Sequence, residues 1–142
     1  MNWLQKEKLD NAISFFAQEH ETQTGKTLPQ TFLYKYLAFL EFEILKETGN
    51  IVFDLKYSAM EYGPVPIELY SEKEKLNNEI FEFVDRGNSQ YIVKSKKKPD
   101  LDYFNLDELK VMRSLIKEYA HDFATTSEIS ENSHKKIKSW QA

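Results

Sequence analysis

Residues 34–46 constrain this chain more than any other stretch. At 3.6 residues per turn, Leu33, Tyr36, Leu37, Leu40 and Ile44 fall on one stripe, and Phe32, Phe39 and Phe42 cover a second, nearly adjoining arc. A helix apolar over most of its circumference does not rest on a surface, so it is expected to be the buried centre of the domain. Its apolar length, under about 18 residues, and its internal charges argue against a membrane span. Thr48-Gly49-Asn50 predicts its end, with glycine supplying the left-handed closing residue. Residues 51–57 then read as a short strand or extended hairpin, on three apolar residues of which two are β-branched. Gly63-Pro64-Val65-Pro66 follows as a stiff corner. Each proline there fixes its own φ, lacks an N–H and pushes the preceding residue toward extended geometry.

The flanking segments are simpler. Leu9, Ile13 and Phe16 recur at helical spacing, so residues 6–19 predict an amphipathic helix, with Phe15 off its stripe. Residues 20–26 are polar and predict a loop, and Thr27-Leu28-Pro29 predicts the start of the central helix. Pro66 suits the first position of a helix reaching the Asn77-Asn78 region, although its apolar content is thin. Residues 80–84 and 90–93 flank Asp85-Arg86-Gly87-Asn88-Ser89 as a hairpin, expected to pair with residues 51–57 in one small antiparallel sheet. Asn105-Leu106-Asp107-Glu108 has the form of a capping box, predicting a helix to about residue 122 that buries Leu109, Met112, Leu115, Ile116 and Tyr119. Thr125-Thr126-Ser127-Glu128 repeats that logic for a last short helix carrying Ile129 and His134, with Ile137 and Trp140 docking beyond it. The expected fold is therefore α+β: a mainly helical single domain around a central buried helix, with a small antiparallel sheet.

Composition narrows the chemistry. The 142 residues suit one domain, and ten Phe and eight Tyr supply core material although 30% of the chain is charged. Cysteine is absent, which removes disulfides, thiolate catalysis and cysteine-based metal sites, and fits a reducing cytoplasm. The first eight residues turn charged at once without the apolar run of a signal peptide, so a cytoplasmic chain is expected. A net charge of −4 argues against general attraction to nucleic acid.

The motifs of catalysis are missing. There is no HExxH, and His20, His121 and His134 are too far apart for a local metal motif. The four glycines are isolated, so no phosphate loop is formed, and no serine sits in a GxSxG elbow. Glu41 and Glu43 point about 160° apart on a helix and make no acid–base pair. No catalytic residue, metal or cofactor is expected. Lys94, Lys96, Lys97 and Lys98 read as a solvated hairpin end. Lys35, at the edge of the apolar helix, reads as a snorkelling side chain with its amine in water, or as an ion pair with a carboxylate such as Glu43. His134 reads as a cap or bridge for the last helix. Tyr57, Tyr62 and the proline corner admit two readings: a stiff recognition surface rich in contact area, or a simple turn with the tyrosines packed inside.

The order of these residues resembles the Panacea antitoxin domain, the SocA-like, phage-associated family of bacteria and their viruses. The likeness rests on Lys35, Glu41-Phe42, Thr48-Gly49, Lys56-Tyr57, Met60 and Tyr62-Gly63-Pro64-Val65-Pro66, and more weakly on Ser127-Glu128-Ile129-Ser130, Ser133-His134 and Trp140. Two residues depart from the pattern: Asp54 stands where a glycine is expected, and Glu61 where a proline or small residue is common. The resemblance implies one Panacea domain over residues 1–142. It also implies an antitoxin that neutralises a cognate small toxin, encoded next to it, by direct protein–protein binding and without a cofactor. SocA-like members imply an alternative, a proteolytic adaptor delivering a toxin to an ATP-dependent protease. An enzyme or a nucleic-acid binder is the less favoured class. The candidate partner-binding or family-motif residues are Lys35, Glu41, Tyr57, Tyr62, Gly63, Pro64, Val65, Pro66, His134 and Trp140.

Overall fold

The apolar stretch forms α2 (Gln30–Thr48), and every residue from 32 to 42 is buried, as is Ile44. This is a computed structural model, which describes residues 1–60, 63–70 and 73–121, with the backbone alone at 73 and 74. Around α2 pack α1 (Trp3–Thr24), α4 (Leu106–Tyr119), β1 (Leu28–Pro29), β3 (Gly63–Pro66) and β5 (Tyr91–Ser95). Helix α2 ends as expected at Gly49, whose φ of 76° lets its N–H turn back to the Leu45 carbonyl at 2.9 Å.

Helix α1 runs to Thr24, so the loop expected from residue 20 begins one turn later. The polar look of residues 20–24 misleads because His20 is a core residue. Its ring packs 4.9 Å from that of Phe32, and its Nδ1 lies 2.9 Å from the Tyr36 hydroxyl. Phe16 stacks on Tyr36 with centroids 4.7 Å apart, and Phe15 is buried too, widening the inward face. Three buried polar side chains of α1 pin other segments. Asn11 accepts the Asp100 N–H at 2.8 Å, Ser14 donates to the Lys97 carbonyl at 2.6 Å, and His20 meets Tyr36.

Strands β4 (Phe81–Asp85) and β5 form the expected hairpin, with Phe83 opposite Val93. The sheet order is β1-β5-β4, all antiparallel. Residues 51–57 do not join it, contrary to expectation. The neighbour of β5 is β1 instead, with Leu28 opposite Val93. A separate two-stranded ladder forms between β2 (Tyr57–Met60) and β3. The helix expected after Pro66 is one turn, α3 (Ile67–Tyr70), followed by a 3-10 turn at Lys73–Leu76. Within α3 only Leu69 is buried, too little apolar surface to carry a longer helix.

Helix α4 begins with the predicted capping box: Glu108 N–H donates to Asn105 Oδ1 at 2.8 Å, and Asn105 N–H to Glu108 Oε1 at 2.9 Å. The Glu108 carboxylate is buried and also receives the Lys8 ammonium at 2.8 and 2.9 Å, which ties α1 to α4. Met112, Leu115, Ile116 and Tyr119 face inward as expected, and the ring of Tyr119 lies 5.4 Å from that of Phe39. The expected last helix, with His134 and Trp140, lies outside the described residues. Among the described residues no helix is long and apolar enough to cross a membrane.

Burial lowers the pKa of His20 from 6.5 to about 4. The unfolded chain therefore takes up a proton near pH 6.5 that the folded chain refuses until about pH 4, and stability falls as pH drops through that window. The urea midpoint is expected to decline between pH 6.5 and 4 more steeply in the wild type than in His20→Gln; equal slopes would remove this role.

Candidate functional site

Two charged residues lie inside the surface of α2, and their environments are opposite. The Glu41 carboxylate is well supplied. Its Oε1 accepts the Phe53 N–H at 3.0 Å and the Asp54 N–H at 2.8 Å, and its Oε2 accepts a short hydrogen bond from the Tyr57 hydroxyl. Burial raises its pKa, while these donors and the Leu55 N–H oppose the rise. Burial first, and the facing carboxylate second, raise the pKa of Tyr57, so its hydroxyl keeps its proton and acts as a donor. This arrangement explains why residues 51–56 are not a strand: amides that a ladder would use are taken by a helix side chain. Asp54 has φ 63°, the left-handed conformation that glycine tolerates best. A glycine here, as the resemblance led one to expect, would take this conformation freely, whereas Asp54 holds the turn under strain.

The β2–β3 hairpin follows directly. Its ladder pairs Tyr57 with Pro66, Ser58 with Val65, Ala59 with Pro64 and Met60 with Gly63, and the Ile67 N–H continues it to the Lys56 carbonyl at 2.9 Å. That last bond fixes the phase. Residues 63, 65 and 67 use their N–H groups toward β2, so Pro64 and Pro66 fall where the nitrogen points outward, and no ladder donor is lost. The outer edge of β3 in turn offers no N–H at either proline, which discourages a further strand there. Gly63, with φ 116°, is buried at the start of the strand. The corner is therefore a strand as well as a helix start. Tyr57 is half-buried, and Tyr62 lies outside the described residues.

Lys35 contradicts its expected reading. It is 2% exposed, so the side chain does not extend into bulk solvent. Among the described residues no carboxylate, that of Glu43 included, forms an ion pair with it. It lines a cavity of about 290 Å³ with Tyr34, Gln30, Thr31, Met60, Pro64, Val65 and Tyr70. Burial lowers its pKa from 10.5 to about 8, which leaves an ammonium at neutral pH. The sequence-selected residues thus divide. Lys35, Pro64 and Val65 share this cavity, whereas Glu41 and Tyr57 line a separate one of about 210 Å³. Gln30, Thr31, Tyr34 and Tyr70 were not selected from sequence, and Met60 entered only through the family likeness. The one available signal was a lysine inside an apolar helix; the hairpin that closes the cavity comes from about thirty residues onward. Among the described residues no cluster of side chains is placed to hold a metal ion.

Two substitutions test this construction by urea denaturation. Tyr57→Phe removes a donor from a buried carboxylate and is expected to lower stability by about 1.5–3 kcal/mol. Asp54→Gly relieves the left-handed strain and is expected to raise it by about 1 kcal/mol, whereas Asp54→Val is expected to lower it.

Comparison with protein-family models matches residues 33–141 to the family described as antitoxin SocA-like, Panacea domain. No significant match was found among curated proteins or solved structures. The matched span begins inside α2 and takes in the Lys35 cavity except Gln30 and Thr31, the Glu41–Tyr57 bond, both hairpins and α4, well over half of the chain. On that match the chain belongs to the SocA-like antitoxin family and carries its Panacea domain.

Proposed function

We propose that this protein is a non-catalytic antitoxin that binds a cognate small toxin, encoded next to it, and blocks it by covering the toxin's surface. The observation that carries the reading is the family match over residues 33–141. A surface of suitable character supports it. Met60, Ile67 and Tyr70 are 45%, 50% and 45% exposed on the hairpin and the helix turn beside the Lys35 cavity. Large apolar groups exposed together mark association surfaces more often than chance does. They stand on backbone stiffened by Pro64 and Pro66, which reduces the entropy lost on docking.

Co-expression tests the proposal. This chain is expected to restore growth to cells expressing the adjacent small open reading frame, and to co-purify with its product. Absence of both rescue and binding would end the antitoxin reading. With occlusion as the mechanism, the toxin's half-life is expected to be the same or longer in the presence of this chain. A half-life shortened only when an ATP-dependent protease is active would instead favour the adaptor alternative.

A further inference from the structure

Lys35 is a buried cation for which the described residues supply no counter-charge. Two side-chain acceptors nearby in sequence are already engaged. Gln30 Oε1 takes the Tyr34 hydroxyl at 3.2 Å, and Glu41 is occupied by Phe53, Asp54 and Tyr57. A lone ammonium held out of water destabilises the fold that contains it, because desolvation is not offset by a partner. Here the cation also borders open space, the cavity of about 290 Å³ closed on one side by Pro64 and Val65 and rimmed by Met60 and Tyr70. A free-state defect facing a cavity is what a site for an anion looks like before the anion arrives.

We propose that this cavity receives an acidic side chain of the toxin, an Asp or Glu whose carboxylate pairs with Lys35. The assignment rests on the antitoxin reading above. Three features select that chemistry. Lys35 is the only cation among the cavity's described lining residues, which matches a singly charged carboxylate better than a doubly charged phosphate. Its depth requires the anion to enter on a side chain, with the partner's backbone remaining at the rim where Met60 and Tyr70 are half exposed. The apolar walls at Pro64 and Val65 suit the methylene stem of such a side chain. The partner's side chain displaces solvent from beside a buried cation, so the pairing discriminates against partners that bring an amide or an apolar group to the same position.

The test uses the full chain and the product of the adjacent toxin gene. Lys35→Met keeps the volume and removes the charge. Free Lys35→Met is expected to unfold at a higher urea concentration than the wild type, and to bind the toxin about a hundredfold more weakly. Each Asp and Glu of the toxin is then changed to Asn or Gln. One position is expected to lose comparable affinity for the wild type and almost none for Lys35→Met, which is the signature of a direct pair. Lower stability of free Lys35→Met would mean that a carboxylate of this chain already serves the lysine, and would overturn the proposal. Unchanged toxin binding by Lys35→Met, or no coupled acidic position, would also overturn it while leaving the antitoxin reading intact. Failure of the wild type to bind the toxin would remove both.

Discussion

The route of the chain after α2 depends on the Glu41 carboxylate, which accepts the Phe53 and Asp54 amides and the Tyr57 hydroxyl. Backbone donors leaving a helix must be satisfied somewhere. Here a side chain of the preceding helix accepts them, so residues 51–56 can lie against α2 without a neighbouring strand. Val52, Phe53 and Leu55 are buried in consequence, and Tyr57 is delivered to the first position of β2. The left-handed residue at position 54 completes the reversal. A helix, a turn and a hairpin are thereby joined through one ionisable group.

The hairpin that results is stiff for a second reason. Prolines spaced by two residues occupy one phase of the ladder, so the strand keeps its hydrogen bonds toward β2 while its other edge is blunted. The Glu68 carboxylate, at the start of α3, accepts the Lys56 N–H at 3.1 and 3.2 Å and closes the base of the hairpin. Such a platform presents Met60 and Pro64 in fixed positions against α2. Rigid backbone bearing exposed apolar groups is the cheapest kind of surface to dock, because little freedom is lost when a partner arrives.

Within α2 the two buried charges have different consequences. Glu41 is satisfied inside the chain and therefore serves folding. Lys35, six residues earlier, sits in the same apolar helix without an ion-pair partner among the described residues and beside open space. Stability and binding place opposite demands on a buried cation, since removing the charge relieves desolvation in the free protein and removes the attraction that a carboxylate would feel.

Much of the local structure was legible in the residues. Continuous apolar coverage placed α2 in the interior, Gly49 ended it, Asn105 and Glu108 started α4, and a glycine-containing five-residue break marked the β4–β5 hairpin, because each of these signals acts within a few residues of itself. The misread segments have the opposite character. His20 looked like part of a loop, yet a tyrosine on another helix holds it. Residues 51–57 looked like a strand, yet their donors belong to Glu41. Lys35 looked solvated, yet a distant hairpin covers it. Sequence pattern by itself determined that α1, α2 and α4 are helices, the glycine end of α2, the capping box of α4 and the family motif, since periodicity and backbone preference are local properties. Only the tertiary structure decided which polar groups are satisfied and which face a cavity, since that balance depends on atoms brought together from far along the chain.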